Sequence, residues 1–152
     1  MSVLFITGLS GVGKSSVLDE MKNRDYQTVD LDIDYMTVIN GERLINDRKL
    51  QKLINQHKDN NLVIAGTESN QGKFYNQFTA IILLTAHLDV MLERIDTRTN
   101  NQYGKTQAER DEIIQNYKDI LPLLKKSATQ IIDSGLFSVQ EVCNQLEENY
   151  LN

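Results

Sequence analysis

The chain has 152 residues, which suits one folded domain with a single hydrophobic core. Its 21 acidic and 16 basic side chains give a formal net charge of −5, which disfavours broad contact with nucleic acid or an anionic membrane. The apolar runs are too short to cross a bilayer, and the single cysteine, Cys143, cannot form an intramolecular disulfide. Because the first residues also lack a signal-peptide pattern, we expect a cytoplasmic protein with no membrane or nucleic-acid partner.

Short apolar segments alternate along the chain with longer segments of helical periodicity. The apolar segments predict strands at residues 3–7, 26–31, 62–66, 80–85 and 130–133. Helices are predicted at residues 14–23, 42–58 and 87–97, and two more begin at the capping boxes Thr106 to Glu109 and Ser138 to Glu141. Pro122 should kink or restart the first of those two helices.

The alternation of apolar strands with helices indicates the fold class. Strands that are apolar on both faces predict a parallel sheet covered by helices on both sides, and hence an α/β fold. We find no linker in the sequence, so we expect one domain over residues 1–152. Ligands of such folds bind beyond the carboxyl ends of the strands, which directs attention to the loop after each strand.

The loop after the first strand, residues 8–15, is called the phosphate loop below. It reads Gly-Leu-Ser-Gly-Val-Gly-Lys-Ser and fits the pattern G-x-x-x-x-G-K-[ST]. Lys14 is expected to reach the β- and γ-phosphates of ATP, and the hydroxyl of Ser15 is expected to bind Mg²⁺. We therefore predict ATP and Mg²⁺ as cofactors. The predicted nucleotide-binding residues in and next to this loop are Gly8, Ser10, Gly11, Val12, Gly13, Lys14, Ser15 and Ser16, and Arg94 is predicted to join them.

Three acidic residues follow one another at alternate positions at the end of the second predicted strand: Asp30, Asp32 and Asp34. One carboxylate at this place could bind Mg²⁺, and another could accept a proton from an attacking hydroxyl group. The pair could be Asp30 and Asp32 or Asp32 and Asp34. Alternatively, these residues are only solvated charges at a strand end.

Two arginines, Arg94 and Arg98, lie four residues apart and are predicted to share one helical face. Because like charges at this spacing repel each other, a nearby anion such as phosphate would stabilise them. A polar segment with a glycine, residues 99–105, follows and suits a small lid. The alternative is an exposed helix face with surface ion pairs.

The segment after the third predicted strand, residues 66–72, is called the acceptor loop below. Thr67, Glu68 and Asn70 can hydrogen-bond a polyol, a sugar or a base, although an ordinary polar turn would have a similar composition. Together with Asp32 and Asp34, these three residues are the predicted substrate-binding residues.

The phosphate loop followed by Asp30-Leu-Asp32 resembles the small kinases of the shikimate, gluconate and nucleotide kinase group in the P-loop NTPase superfamily. An AAA-type ATPase is compatible with the same motif. The resemblance implies a three-layer sandwich with the parallel strand order 2-3-1-4-5 and a short helical lid at about residues 94–106. It also implies a metal role for Asp30 and a substrate or base role for Asp32, and arginines that close over the phosphates, here Arg94 and Arg98. In this group the loop after the last strand wraps the adenine, which implies backbone contacts from residues 134–136.

The resulting prediction is an ATP-dependent phosphotransferase with Lys14, Asp32, Arg94 and Arg98 as catalytic residues and a small-molecule hydroxyl or phosphate acceptor. The acceptor loop has neither the glycine triplet of shikimate kinases nor the Asp-Gly and Pro-Arg of adenylate-type kinases, so the acceptor stays open. A P-loop NTPase or a nucleotide sensor without kinase activity is the alternative. Either a monomer or a homodimer is compatible with the sequence.

Overall fold

The computed structural model describes residues 2–57 and 59–151. Five parallel strands form one sheet: β1 (Val3–Thr7), β2 (Gln27–Asp30), β5 (Leu62–Ala65), β6 (Ala80–Thr85) and β7 (Gln130–Asp133). Their order across the sheet is β2-β5-β1-β6-β7. The two remaining strands, β3 (Met36–Ile39) and β4 (Glu42–Ile45), form a separate antiparallel hairpin. Counted without this hairpin, the order is 2-3-1-4-5, as predicted.

Helices cover both faces of the sheet. They are α1 (Lys14–Asn23), α2 (Asp47–Gln56), α3 (Leu88–Thr97), α4 (Gln107–Asp119), α5 (Leu121–Ser127) and α6 (Val139–Tyr150), with a 3₁₀ helix at Gln71–Gln77. Alternate residues of β1 point to opposite faces, so Leu4 and Ile6 pack in one buried cluster and Phe5 in another. The predicted three-layer α/β class is confirmed.

The hairpin corrects the prediction of a helix over residues 42–58. Residues 42–45 form β4 instead, and α2 begins only at Asp47, where the side chain of Asn46 accepts a hydrogen bond from the Lys49 amide. The two residues between β3 and β4 are Asn40 (φ 53°) and Gly41 (φ 79°), which both adopt the left-handed conformation of a two-residue hairpin turn. This turn overrides the helical spacing of the apolar residues, and Lys58 lies outside the described residues.

The later helix boundaries follow the predicted signals. Both capping boxes are present, and α5 begins with Pro122 in its first turn, so the predicted restart is confirmed. Arg98, in contrast, follows the end of α3 in an extended conformation, so it does not share a helical face with Arg94 as predicted. Within residues 2–57 and 59–151, no helix combines the length and apolarity needed to span a bilayer.

Candidate functional site

The phosphate loop connects β1 with α1 at the carboxyl edge of the sheet. Gly11 has a φ of +87°, and a Cβ atom there would lie 2.8 Å from the carbonyl oxygen of Met91, so both conformation and space require glycine. In the described structure no side chain caps the first turn of α1. The amide groups of that turn therefore remain available to an anion, and the helix dipole favours negative charge at the same place.

The amine of Lys14 lies inside the loop and donates hydrogen bonds to the carbonyl oxygens of Gly8 at 2.5 Å and Leu9 at 3.2 Å. Burial lowers the pKa of Lys14 to about 8, while the charges of Asp32 and Asp30 act in the opposite direction. A phosphate that approached this amine would favour its charged form and would replace the two carbonyl contacts with stronger charge-assisted ones.

The phosphate loop opens into a cleft of about 920 Å³. The cleft brings together most of the predicted site residues, namely residues 8–16, Asp32, Thr67, Glu68, Arg94 and Arg98. Phe137 and Val139, which follow β7, also line it. Three of the predicted residues, Asp30, Asp34 and Asn70, are not part of its lining.

The three aspartates occupy different environments. One carboxylate oxygen of Asp30 accepts a hydrogen bond from the amide of Asp32 at 2.9 Å, and the charge of Asp30 still acts on Lys14. Asp32 is exposed to the cleft. The carbonyl oxygen of Asp34 accepts a hydrogen bond from Lys49 at 2.8 Å, outside the cleft. Of the three aspartates, Asp32 lines the cleft, and the charges of Asp30 and Asp32 act on Lys14.

The oxygen donors near the phosphate loop suit Mg²⁺. In the described part of the chain, no three His, Cys, Asp or Glu side chains lie close enough together to hold a metal ion. Mg²⁺ at nucleotide sites usually takes one or two protein ligands and completes its shell with phosphate oxygens and water. Ser15 and Asp32 both line the cleft, and the charges of Asp30 and Asp32 act on Lys14, the residue before Ser15. Their oxygens fit a site of that kind.

Both predicted arginines contact the phosphate loop. Arg94 donates to the carbonyl oxygen of Gly11 at 3.3 Å and to the hydroxyl and carbonyl oxygens of Ser134 at 3.0 and 2.8 Å. Arg98 donates to the hydroxyl of Ser10 at 3.3 Å and to the carbonyl oxygen of Tyr103 at 2.6 Å. Among the described residues, neither guanidinium forms an ion pair with a carboxylate. Their positive charge therefore remains available to phosphate.

Arg43 of β4 is a site residue that the sequence reasoning missed. Its guanidinium lies 3.4 Å from the Asp32 carboxylate and 3.6 Å from that of Glu68. Burial raises the pKa of Glu68, and Arg43 partly offsets this effect. The predicted helix over residues 42–58 hid this contact, although the dipeptide Asn40-Gly41 is a strong hairpin signal that would have placed Arg43 on a strand.

The acceptor loop divides into cleft residues and a structural residue. Thr67 and Glu68 line the cleft, whereas the side-chain amide of Asn70 is bonded to the backbone of Ile45, with its oxygen accepting at 3.0 Å and its nitrogen donating at 3.1 Å. Asn70 thereby attaches the hairpin to this loop.

Ser134 lies in the segment that is expected to make backbone contacts with adenine. Its hydroxyl donates a hydrogen bond to the carbonyl oxygen of Val12 at 2.6 Å.

The parallel sheet, the phosphate loop and the arginines around it define a P-loop nucleotide-binding protein with a kinase-like fold. The sequence profile of the AAA domain family matches residues 4–115, which is most of the chain. The chain belongs to this family.

The chain is similar in sequence to nucleotide-binding proteins of two bacteria. The chain is 25% identical over 147 residues to a nucleotide-binding protein of Xylella fastidiosa strain M12, and 25% identical over 154 residues to one of Desulforapulum autotrophicum. In both cases 93% of this chain is matched, but it spans only about half the length of these relatives (51% and 50%).

The similar solved structures include kinases. Shikimate kinase from Bacteroides thetaiotaomicron superposes with a TM-score of 0.65 at 18% identity, covering 97% of both chains. Shikimate kinase from Acinetobacter baumannii, in complex with shikimate, gives 0.66 at 14% identity, covering 97% of this chain and 92% of the other. A sugar kinase from a Janibacter species gives 0.66 at 11% identity, with 97% and 93% covered. At these identities the likeness concerns the fold.

Proposed function

We propose that this protein is an ATP- and Mg²⁺-dependent phosphotransferase that acts on a small molecule with a hydroxyl or phosphate acceptor group. The observation that carries the proposal is a single cleft in which the phosphate loop and two arginines share the lining with Asp32, Thr67 and Glu68. The phosphate loop and the arginines offer positive charge and backbone amides to a triphosphate. Asp32 and Glu68 offer carboxylates to an acceptor.

The proposed reaction moves the γ-phosphoryl group from ATP to the acceptor oxygen. Asp32 accepts the proton of the attacking hydroxyl, the new bond forms between that oxygen and the γ-phosphorus, and the bond from this phosphorus to the β-phosphate oxygen breaks to release ADP. Lys14 and Arg98 stabilise the charge on the transferring group. Mg²⁺ would supply further charge neutralisation on the phosphate oxygens and would be held by Ser15 and by Asp30.

Other features of the cleft fit the same proposal. Residues 94–106 would form the lid, and Arg98 already ties this segment to the phosphate loop through Ser10. The base of the nucleotide would lie towards Phe137 and Val139, past the backbone of residues 134–136. We further propose one domain over residues 1–152 and a cytoplasmic location, where the buried thiol of Cys143 would stay reduced.

A second candidate function is nucleotide binding without transfer to a small molecule. Two observations favour it: the similar curated proteins are named only as nucleotide-binding proteins, and Asp32, the proposed base, is paired with Arg43. In that case the function would be the binding of the nucleotide itself.

An acceptor screen tests the first proposal. ATP consumption at fixed Mg²⁺ is measured with nucleosides, nucleoside monophosphates, shikimate, gluconate, dephospho-coenzyme A and aminoglycosides, and products are identified by mass spectrometry. We expect one acceptor class to raise turnover and to yield a phosphorylated product, and Asp32→Asn to slow this turnover with ATP affinity retained. Binding of ATP with no phosphorylated product from any acceptor would favour the second candidate function.

A further inference from the structure

A chain of hydrogen bonds links the phosphate loop with the acceptor loop beneath the floor of the cleft. It passes through Thr7 and Gln71, whose side chains are 0% and 3% exposed and are the buried polar ones among the described residues. All of the buried side-chain nitrogen and oxygen atoms in the described part have a hydrogen-bond partner. Consecutive hydrogen bonds between buried polar groups stabilise one another by mutual polarisation.

All hydrogen bonds of this series are donated in one direction, from Glu68 towards Gly8. The Glu68 amide donates to the side-chain oxygen of Gln71 at 2.9 Å, and the Gln71 side-chain nitrogen donates to the Thr7 hydroxyl at 3.1 Å. The hydroxyls of Thr7 and Thr67 are 3.2 Å apart, and Thr67 donates its own hydrogen to the carbonyl oxygen of Gly8 at 2.5 Å. Since a hydroxyl has one hydrogen, Thr7 must be the donor to Thr67.

The two ends of this chain of hydrogen bonds lie at residues of the proposed active site. At one end, the Gly8 carbonyl oxygen accepts from Thr67 and also from the Lys14 amine, both at 2.5 Å. At the other end lies Glu68, whose carboxylate lines the cleft and lies 3.6 Å from Arg43. Four consecutive hydrogen bonds thus connect the backbone amide of Glu68, on the acceptor side, with the carbonyl oxygen of Gly8 in the phosphate loop.

We propose that Thr67 and Gln71 are positioning residues that transmit nucleotide occupancy of the phosphate loop to Glu68, a deeper claim about the same cleft that rests on the proposed function only for its role in catalysis. The Lys14 amine is the element with two positions: on the Gly8 carbonyl, or on a phosphate. When phosphate draws the amine away, Thr67 no longer shares the Gly8 oxygen with a cation. Its hydrogen bond then strengthens, and the bonds behind it strengthen in turn.

The consequence falls on the acceptor side of the cleft. A stronger bond from the Glu68 amide to Gln71 holds the Glu68 backbone in one position, and hence its carboxylate beside Arg43 and Asp32. Acceptor-side residues would thus be ordered once ATP is in place, and this would limit transfer of the phosphoryl group to water.

Amide hydrogen exchange, resolved by NMR, tests the proposal on the full chain. The probe is a non-hydrolysable ATP analogue with Mg²⁺, and the readout is the exchange rate of the Glu68 amide with and without it. We expect exchange in the wild-type protein to slow several-fold on binding. In Thr67→Val the analogue should still bind while the Glu68 response is lost, and Thr67→Ser should restore it because the hydroxyl returns.

Tyr75→Phe is the matched control. Tyr75 accepts the other hydrogen of the Gln71 side-chain nitrogen at 2.7 Å, so its loss weakens the surroundings of Gln71 without cutting the chain to Gly8. This variant should keep the Glu68 response even if its melting temperature falls. If the series of hydrogen bonds has a purely structural role, Thr67→Val and Tyr75→Phe should show the same change in Glu68 amide exchange on binding of the analogue.

Each outcome is decisive. An unchanged Glu68 amide in the wild-type protein with bound analogue overturns the proposal, as does a normal response in Thr67→Val. Absence of any analogue binding overturns both this proposal and the proposed function. A wild-type response that Thr67→Val abolishes, together with no phosphorylated product from any acceptor, supports the positioning role and removes the kinase function alone.

Discussion

Lys14 is the residue whose ionisation should govern nucleotide binding. Burial lowers its pKa from 10.5 to about 8, so between these two values the unfolded chain holds more protons than the folded protein, and this group makes the folded protein more stable as pH rises. A bound phosphate favours the charged amine and raises its pKa again. We therefore expect ATP affinity to fall as pH rises above about 8, with up to one proton taken up on binding.

Calorimetric titration of ATP–Mg²⁺ in buffers of different ionisation enthalpy, at pH 8.5 to 9, measures this proton uptake. Lys14→Met provides the control, because it keeps much of the side-chain volume and removes the ionisable group. Proton uptake that is equal in wild type and Lys14→Met would show that another group titrates on binding.

The two arginines near the phosphate loop should differ in what they contribute. Arg94 is half-buried and bridges Gly11 with Ser134, so Arg94→Ala should lower the free energy of unfolding by about 1–3 kcal/mol through lost hydrogen bonds. Arg98 lies beyond α3 and also donates three side-chain hydrogen bonds, but two of them stay local, to the carbonyl oxygens of Asn101 and Tyr103. Arg98→Ala should therefore affect stability less. If Arg98 acts on the transferring group, its loss should slow phosphoryl transfer by about 10³-fold or more.

Denaturant unfolding and single-turnover transfer rates, measured side by side on both variants, check this division. Equal losses of stability in the two variants, with an unchanged transfer rate in Arg98→Ala, would contradict it. Arg98 would then be a structural residue of the lid.

Among the elements, the β3–β4 hairpin determines the acceptor side of the cleft because it delivers Arg43 to Asp32 and Glu68. Its turn depends on Gly41, which has a φ of +79°, and a Cβ atom at this position would have no neighbouring atom within 4 Å. Gly41→Val should therefore act through backbone strain alone and lower the free energy of unfolding by about 1–2 kcal/mol.

Gly72→Ala is the matched control for that substitution, since Gly72 lies in the 3₁₀ helix and its Cβ would meet only Tyr75 at 3.9 Å. Urea unfolding of both variants measures the difference. If Gly41→Val is as stable as Gly72→Ala, the turn does not need the left-handed conformation, and the hairpin geometry described above is incorrect.

For the whole molecule, the sequence determines the sheet and its helices well because their signals are local. The β1, β6 and β7 strands, both capping boxes and the restart at Pro122 all lie where the sequence predicts them. The hairpin was not predicted, since the apolar residues of positions 44–54 have helical spacing and outweighed the turn signal at Asn40-Gly41. Short hairpins are decided by the two turn residues and not by the periodicity around them.

The candidate site was less predictable than the fold. The phosphate loop is one contiguous motif, so its residues could be named from the sequence. Arg43, Ser134 and Gln71 each make a side-chain contact with a residue distant in sequence, so a turn signal could place Arg43 on a strand but could not name its partners. Asn70 shows the converse problem: its polar side chain suggests substrate binding, but its amide is used by the backbone of Ile45.

Equilibrium binding of ATP–Mg²⁺ to the wild-type protein and to Lys14→Ala tests the assignment of the phosphate loop on which the whole account depends. We expect saturable one-to-one binding that requires Mg²⁺ and weakens by about tenfold or more in the variant, as the loss of a charge-assisted contact to phosphate implies. Binding of equal strength in both proteins, or no binding to the wild type, would contradict the assignment of this cleft to a nucleoside triphosphate.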